Sequence, residues 1–224
     1  MRFSTLYSLF VFCYTSTANV VNLNLAKTYG ALSGPAGLTS QGSTVITGNL
    51  GTTAKTVSGF GPGIVSNGVK NIGNAAATSA FTDAQKAYAQ AKNATVTSDI
   101  STQSDLTGKT IYPGVYFAAR GITLTGALFL DAQGNASATW VFQSASSLLI
   151  NTASNVYLTG SAKSSNIFWQ VGSSATIAAG ATFHGNILAY AGIAVKTGAL
   201  IQGSLIALTE SITLQDNDVS AQNN

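Results

Sequence analysis

This chain has very few of the residues that carry catalysis or bind metals. It has one cysteine (Cys13), one histidine (His184) and one glutamate (Glu210), and charged residues make up 8% of it, against about 25% in an average globular protein. Cys13 lies in a predicted leader, so the rest of the chain has no thiol for disulfides, nucleophilic attack or metal binding. The fold must therefore be held by its core and its backbone hydrogen bonds.

The few ionisable residues do not indicate an enzyme. Hydrolysis or elimination needs convergent carboxylates, a base or a metal, and we interpret all four candidates as surface or turn residues: His184, Glu210, Asp216 and Asp218. The two aspartates could at most form a weak cation site without further oxygen ligands. One histidine among many serines leaves a Ser-His-Asp arrangement open, although the G-x-S-x-G motif is missing. We expect no catalysis, no metal and no cofactor.

Residues 1–18 are typical of a secretory signal peptide. Arg2 is followed by an apolar centre from Leu6 to Tyr14, and the small residues Ser16 and Ala18 precede a cleavage point. A buried first strand is the alternative. We expect residues 19–224 to form a single, secreted, monomeric domain. No later apolar run approaches the about 18 residues of a transmembrane helix, and the basic residues are scattered, so neither a membrane nor nucleic acid is an expected partner.

Two segments fit the acceptor pattern for N-linked glycosylation. They are Asn93-Ala94-Thr95 and Asn135-Ala136-Ser137. Chance matches are common in a chain so rich in Asn, Ser and Thr. Both segments are predicted to lie in surface loops.

The organising feature is an imperfect repeat in residues 166–221. Phe183, Ile201 and Val219 recur at steps of 18 residues, as do Gly180, Gly198 and Asp216. Each repeat has three short apolar segments that cannot bury themselves alone, whereas stacked repeats bury a continuous core. We therefore predict an irregular parallel β-solenoid with three sides. A one-residue slip between Ile193 and Ile212, and a longer step of 27 from Val141 to Phe168, predict that its coils are unequal.

The N-terminal half adds strands and one helix. Extended segments are predicted at 29–32, 43–50, 57–60 and 63–69, because β-branched residues alternate there with glycine-rich corners. Residues 75–93 are rich in Ala, Gln and Lys and predict a helix capped by Asn74. Its apolar stripe, Phe81, Ala84, Tyr88 and Ala91, predicts packing against a side of the solenoid.

Small residues recur after the second apolar segment of four coils, in the segments 125–128, 152–155, 179–182 and 197–200. Stacking would place them in files about 4.8 Å apart, which is a candidate flat recognition face. For a single coil, a Thr-Gly pair that only turns a corner explains the pattern equally well. The candidate residues of the face are Thr125, Leu128, Thr152, Asn155, Ala179, Thr182, Thr197, Leu200 and Asp216.

The whole sequence after the leader resembles the secreted ice-binding (antifreeze) proteins of the DUF3494 type, found in polar and cold-adapted microbes. The resemblance rests on segments such as STVITGNLG at 43–51, LTGKTIYPGVY at 106–116, TWVFQ at 139–143, NIFWQVG at 166–172 and HGNILA at 184–189. It implies a right-handed irregular β-solenoid of triangular section, with one long helix along a side. It also implies that the N-terminal and C-terminal coils meet.

The resemblance implies ice as the partner, bound through one flat face without metal or cofactor. Thermal hysteresis and inhibition of ice recrystallisation would follow from adsorption by a preorganised, uncharged surface. Some bacterial members carry a T-A/G-x-T/N motif there, and the segment 152–155 fits it fully. The alternative function is a structural or adhesive cell-wall or matrix module that binds glycan or protein.

Overall fold

A computed structural model describes residues 21–221. The predicted signal peptide, residues 1–18, lies outside the described residues. Seven strands precede the long helix: β1 (Tyr29–Ser33), β2 (Leu38–Gln41), β3 (Val45–Thr47), β4 (Asn49–Thr52), β5 (Val57–Ser58), β6 (Ile64–Ser66) and β7 (Lys70–Ile72). The helix α1 spans Ala75–Lys92, and short 3-10 helices span Asn24–Thr28 and Ser164–Asn166.

The other strands follow the helix. The first nine are β8 (Ser98–Asp99), β9 (Thr110–Ile111), β10 (Gly114–Ala118), β11 (Ile122–Leu124), β12 (Ala127–Asp131), β13 (Trp140–Ser144), β14 (Leu148–Ile150), β15 (Asn155–Thr159) and β16 (Ile167–Val171). The remaining ones are β17 (Ala175–Ile177), β18 (Thr182–His184), β19 (Asn186–Ala189), β20 (Ile193–Val195), β21 (Leu200–Gln202), β22 (Leu205–Ala207), β23 (Ile212–Gln215) and β24 (Asp218–Ser220).

These strands form three parallel sheets, and from β10 onward the chain visits them in strict rotation. Sheet A has the order β7-β4-β1-β22-β19-β16-β13-β10-β8, sheet B β11-β14-β17-β20-β23-β2-β5, and sheet C β6-β3-β24-β21-β18-β15-β12-β9. The three sheets are the three sides of a β-solenoid, which confirms the predicted fold class. Each coil shares its backbone hydrogen bonds with the coils above and below it.

The observed register confirms the unequal repeat. Phe183 pairs with Ile201, which pairs with Val219. The one-residue slip is real, because Ile193 pairs with Ile212. The longer step is also observed, since Val141 pairs with Phe168.

The spatial order of the coils differs from their order in the sequence. In each sheet, the strand that comes first in the sequence is hydrogen-bonded to the strand that comes last: β1 to β22, β2 to β23 and β3 to β24. The N-terminal coils therefore extend the stack beyond the C-terminal coil, as the family resemblance implies. Strand β2 (Leu38–Gln41) is not among the strands predicted from the sequence.

The core fills the inside of the solenoid. Side chains alternate inward and outward along each strand, so the inward residues of stacked coils meet one another. An aromatic stack crosses several coils: the ring centroids of Tyr116 and Phe142 are 5.5 Å apart, those of Phe142 and Trp169 4.0 Å, and those of Trp169 and Phe183 5.3 Å. Phe142, Trp169 and Phe183 are almost completely buried. These buried aromatic contacts stabilise the core of the described solenoid without any disulfide in residues 21–221.

The helix α1 covers the outer surface of sheet A. The Asn74 side chain accepts a hydrogen bond from the Ala77 backbone at 2.9 Å and caps its N-terminus, as predicted. All four residues of the predicted stripe are buried, and alanine dominates the rest of the contact face. Small side chains let the helix lie close to the sheet. Since α1 leads from β7 to β8, it joins the two ends of sheet A.

Candidate functional site

The helix leaves two sides of the solenoid open. We call the outer surfaces of sheets B and C face B and face C. In most strands of sheet B, a single outward residue stands between two buried ones. A face with one outward residue per strand presents a single straight file to solvent.

This central file of face B is uninterrupted over seven strands. Its neighbours are in register at every step, and none is charged. Four are threonines, and the others are one serine, one alanine and one leucine. In spatial order the file consists of Thr123, Leu149, Thr176, Ala194, Thr213, Thr39 and Ser58.

A second file of small residues runs beside it, at the positions just before the strands. Each carbonyl of this file accepts a backbone hydrogen bond from the next coil, at distances from 2.8 to 3.2 Å. The accepting residues are Ser147, Ser174, Gly192, Ser211 and Gly37. Gly192 has little room for a side chain, because a Cβ there would lie 2.9 Å from the carbonyl oxygen of Ser211. Backbone ladders thus hold this edge of face B flat.

The turns from sheet B to sheet C form the opposite edge, which we call corner BC. Five stacked turns place one residue each in the left-handed region, with φ of 55° to 74° for Ala153, Gly180, Gly198 and Gly42 and 46° for Asp216. Hydrogen bonds continue through the corner, for example from Gly180 N to Thr197 O at 3.0 Å. The same turn therefore repeats in successive coils and keeps the residues before it aligned.

Most of the residues predicted for the recognition face lie at or beside this corner. Thr125, Thr152 and Thr197 are exposed there and Ala179 is half-buried, while Asp216 is exposed in the left-handed position. Asn155, Thr182 and Leu200 are register partners at the first outward position of sheet C. The structure thus brings eight of the nine residues together along one edge. Whether they contact ice remains a proposal.

The ninth residue, Leu128, is misplaced by the sequence pattern. Its side chain is fully buried in the solenoid core, and it pairs with Val156 instead of Asn155. The turn between Leu124 and Ala127 has two residues, whereas the turn between Ile150 and Asn155 has four. Strand partners are 26 residues apart before the turn and 28 apart after it, whereas the sequence pattern assumed a constant 27, so Ala127 is the outward neighbour of Asn155. A shift by one residue moves a side chain to the opposite surface of a strand.

Face C is less regular than face B. Phe129 and Tyr157 project from it as a stacked pair, 36% and 46% exposed, with centroids 5.2 Å apart. It also carries an exposed carboxylate, Asp218. Strands β15 and β18 are registered through only one pair, Asn155 with Thr182. Bulk, charge and a weakened strand contact make this side a poorer flat surface.

In the part of the chain that the structure describes, His184, Glu210, Asp216 and Asp218 form no cluster. His184 is half-buried, and its Nδ1 lies 2.9 Å from Ser164 Oγ. Burial lowers the pKa of His184 below its usual value. The Asp216 carboxylate accepts a hydrogen bond from the backbone N–H of Ser43 at 2.6 Å and stabilises the turn of the neighbouring coil. Within residues 21–221, no group of three or more His, Cys, Asp or Glu is placed to hold a metal ion.

Two further expectations concern the surface. Both predicted glycosylation residues are exposed: Asn93 ends α1, and Asn135 lies between β12 and β13, where its side chain accepts a hydrogen bond from Ser137 N at 3.0 Å. Their modification is untested. Across the described residues, no helix is long and apolar enough to span a membrane.

Sequence reasoning missed the central file of face B. The signal was present, because the triplets ITL at 122–124, ATI at 175–177 and ITL at 212–214 each place a threonine between two apolar residues. In a strand of three residues this pattern turns the middle residue away from the core. Only the structure shows that these threonines belong to one file.

Comparisons with known proteins agree with this architecture. Residues 32–220 match the model of the Ice-binding-like family. The chain is 38% identical over 206 residues to an ice-binding protein of Nostoc sp. (strain HG1), which covers 91% of this chain and 75% of that protein. It is 31% identical over 217 residues to an ice-binding protein of Flavobacterium frigoris (strain PS1), which covers 91% of this chain and 77% of that protein.

Solved structures give the same result. The crystal structure of an ice-binding protein from the Antarctic ascomycete Antarctomyces psychrotrophicus superimposes with a TM-score of 0.87 at 39% identity, covering 91% of this chain and 98% of that one. A glycosylated ice-binding protein from an Arctic yeast superimposes with a TM-score of 0.83 at 26% identity, covering 90% and 94%. The chain therefore belongs to the Ice-binding-like family, and its three-sided parallel solenoid with a single long helix is the fold of that family's solved members.

Proposed function

We propose that this protein is an antifreeze protein that adsorbs to ice through face B and the adjoining corner BC. The observation that carries the proposal is the central file of face B, seven registered outward residues without a charge. Each relative and solved structure named above is called an ice-binding protein. None of these names supports a structural or adhesive module as the principal function.

The spacing of groups on face B suits a crystalline partner. Parallel strands lie about 4.8 Å apart, and the second file, two residues before the central file in each coil, lies about 6.6 Å from it. Backbone hydrogen bonds on both edges of the face hold these groups in place before ice is met. A preorganised surface loses little conformational entropy on binding, so more of the contact energy remains as affinity.

The chemistry of threonine suits the task as well. A threonine hydroxyl can hold an ordered water, while its methyl group cannot hydrogen-bond to water. Alternating methyls and hydroxyls favour an ordered water layer that the lattice can continue. Charged groups would hold their hydration water more tightly, and the central file has none.

Corner BC extends this surface sideways. Thr125, Thr152 and Thr197 are exposed along it, and the repeated turn keeps Thr152 and Thr197 in line. Thr125 belongs to the shorter turn, where its hydroxyl accepts a hydrogen bond from Asn151 Nδ2 at 2.7 Å. We include Asn155, Thr182 and Leu200, on the far side of the turn, as a flanking strip. Ice between adsorbed molecules would grow with a curved front, so growth stops and recrystallisation slows.

Several finer properties belong to the same proposal. We propose that the leader at 1–18 directs secretion, that the mature chain works as a monomer in cold surroundings, and that it catalyses no reaction. Exchange of His184 or Glu210 for alanine should then leave ice activity intact. Turnover of pectin, alginate or chitin fragments that disappears in either variant would contradict the last point.

The direct test is a single ice crystal grown in a solution of the purified mature protein. We expect faceted crystals, a gap between melting and growth temperatures, and slow coarsening of polycrystalline ice at micromolar protein. Round discs that grow at the melting point, together with normal coarsening, would refute the proposal.

A further inference from the structure

A cleft lies between the C-terminal half of α1 and the carboxyl ends of strands β10, β13 and β16 of sheet A, away from the central file of face B. Its volume is about 490 Å³, within the range of about 300–1,000 Å³ that is common for small-molecule sites. The helix contributes Tyr88 and Lys92, and the corner after β19 contributes Tyr190. Sheet A and the turns that follow its strands contribute Phe117, Gln143, Ser144, Ala145, Gln170 and Gly172.

Two glutamines that line the cleft, Gln143 and Gln170, are buried, and hydrogen bonds fix the orientation of their amide groups. Gln143 is 4% exposed and donates through Nε2 to three carbonyls at the end of α1, those of Ala91 at 2.8 Å, Ala94 at 2.9 Å and Lys92 at 3.2 Å. Only an amide nitrogen can donate to carbonyls, so the Oε1 atom must point the other way. Gln170, also 4% exposed, donates through Nε2 to the Tyr88 hydroxyl at 3.0 Å.

Both amide oxygens are left for an outside donor. Neither Oε1 atom has a hydrogen-bond partner among residues 21–221, and neither belongs to the buried unpaired atoms of the structure, which are the hydroxyls of Ser33 and Ser204. Both are therefore in reach of solvent in the cleft. A pair of oriented acceptors lining a cleft selects ligands with hydroxyl or amide donors.

The walls of the cleft add an aromatic surface. Tyr190 is 52% exposed, and its ring centroid lies 6.2 Å from that of Tyr88 at an angle of 43°. An exposed ring beside fixed hydrogen-bonding groups suits a ligand with an apolar C–H face and a polar rim. The pyranose ring of a sugar has this combination.

The electrostatics indicate a neutral ligand. The C-terminus of α1 brings the negative end of the helix dipole to the cleft, next to the two amide oxygens. Among residues 21–221, Lys92 is the only charged residue that lines the cleft, and it offsets this dipole. A carboxylate or sulfate would meet the dipole and the acceptors, whereas uncharged hydroxyls can donate to them.

We propose that this cleft binds a hexopyranose unit of a neutral glycan, with its hydroxyls on Gln143 and Gln170 and its ring against Tyr190. This site goes beyond ice adsorption and does not depend on it. A glycan bound in this cleft would hold the protein in a polysaccharide matrix and leave face B accessible to ice.

The test uses the mature chain produced in a bacterium that lacks N-linked glycosylation, so that no sugar on Asn93, the residue after Lys92, can occupy the cleft. Cellohexaose, laminarihexaose and chitohexaose are titrated by calorimetry and by NMR, with trigalacturonate as the charged probe. We expect at least one neutral probe to bind with a dissociation constant of about 1 mM or tighter. Absence of binding by all three, or a preference for trigalacturonate, overturns the proposal.

Two variants locate the binding. Tyr190→Ala removes the exposed ring and should weaken binding roughly tenfold, while Tyr112→Ala, at a tyrosine that is 48% exposed elsewhere, should bind as the parent does. Tyr88→Phe keeps the packing of the ring but releases Gln170, and should weaken binding several-fold. Unchanged binding in Tyr190→Ala, or equal loss in Tyr112→Ala, overturns the assignment to this cleft. Circular dichroism and ice shaping of each variant report folding and the ice function separately.

Discussion

Thr39 and Thr213 are register partners on adjacent strands of sheet B, although they come from opposite ends of the chain. Their pairing joins the N-terminal coils to the C-terminal coil. It also carries the central file of face B across the junction, from Ala194 through to Ser58. The proposed recognition surface is therefore longer than either half of the chain could make alone.

The central file gives the sharpest prediction. Thr176→Tyr places a bulky ring in the middle of face B, so it should hold the face off the lattice and abolish most thermal hysteresis. Thr176 is a surface residue, so the free energy of unfolding should change by only about 0.5 kcal/mol. Nanolitre osmometry and thermal unfolding check both effects. The matched change on face C, Gln202→Tyr, should retain activity; the opposite result would move the ice-binding surface to face C.

Corner BC can be tested in the same way. Thr152→Tyr and Thr197→Tyr should reduce thermal hysteresis clearly, because both residues are exposed along the edge of face B. Lys163 lies in the turn between β15 and β16, at the corner between sheets C and A, so Lys163→Tyr serves as the control. Lys55, which the sequence placed away from the recognition face, lies in the turn between β4 and β5 and borders the other edge of face B, so Lys55→Tyr should also reduce activity. If Lys163→Tyr loses activity and the threonine variants keep it, the edge has been assigned to the wrong side of the solenoid.

Leu149 is the one large apolar residue of the central file, 37% exposed between Thr123 and Thr176. Its branched side chain interrupts the threonine spacing, so Leu149→Thr should raise thermal hysteresis. The melting temperature should stay nearly constant, because β-branched threonine suits a strand. Leu149→Ala separates loss of bulk from gain of the hydroxyl. Lower activity in Leu149→Thr than in the parent would show that the leucine itself contributes to ice contact.

The corrected register around β12 predicts a contrast between two adjacent residues. Leu128→Ala should lower the free energy of unfolding by about 2–5 kcal/mol, because it leaves a cavity in the core. Ala127→Thr, on the outward side, should change it by about 0.5 kcal/mol or less. Chemical denaturation measures both. Equal, small effects would restore the sequence-based placement of Leu128 on the surface.

His184 predicts a pH dependence of stability. Burial lowers its pKa in the folded state, so the unfolded chain takes up a proton at higher pH than the folded chain does. The free energy of unfolding should therefore fall as the pH drops through about 6.5, the ordinary pKa of histidine. Hydrogen bonds from Ser101 and Thr107 lower the pKa values of Asp99 and Asp105, so their contributions disappear only in more acidic solution.

The matched variant is His184→Gln, which should remove the loss of stability between pH 7 and pH 5. Thermal hysteresis of the parent should be constant over this interval, because the central file carries no group that titrates. Denaturation curves and osmometry at several pH values check both statements. A pH step that persists in His184→Gln would assign the proton uptake to another group.

The sequence by itself determined the architecture. Repeats of 18 residues with a slip and a longer step can be buried only by stacking, and the structure reproduces each of these steps. The alanine-rich segment that follows Asn74 likewise determined where the long helix forms, and its apolar stripe determined that the helix packs against one side of the solenoid. Local periodicity is enough for such features, because it is set by residues that are close in the chain.

Tertiary structure decided the register between coils and the order in which the coils stack. The length of one turn, two residues instead of four, places Leu128 in the core and Ala127 outside. The pairing of β1, β2 and β3 with the last three strands decides that Thr39 continues the file of Thr213. The family resemblance implied that the two ends of the chain meet, but neither register can be read from the sequence, because register depends on hydrogen bonds between coils that the chain order leaves undetermined. The recognition surface is a property of this stacking, whereas the coils themselves are a property of the sequence.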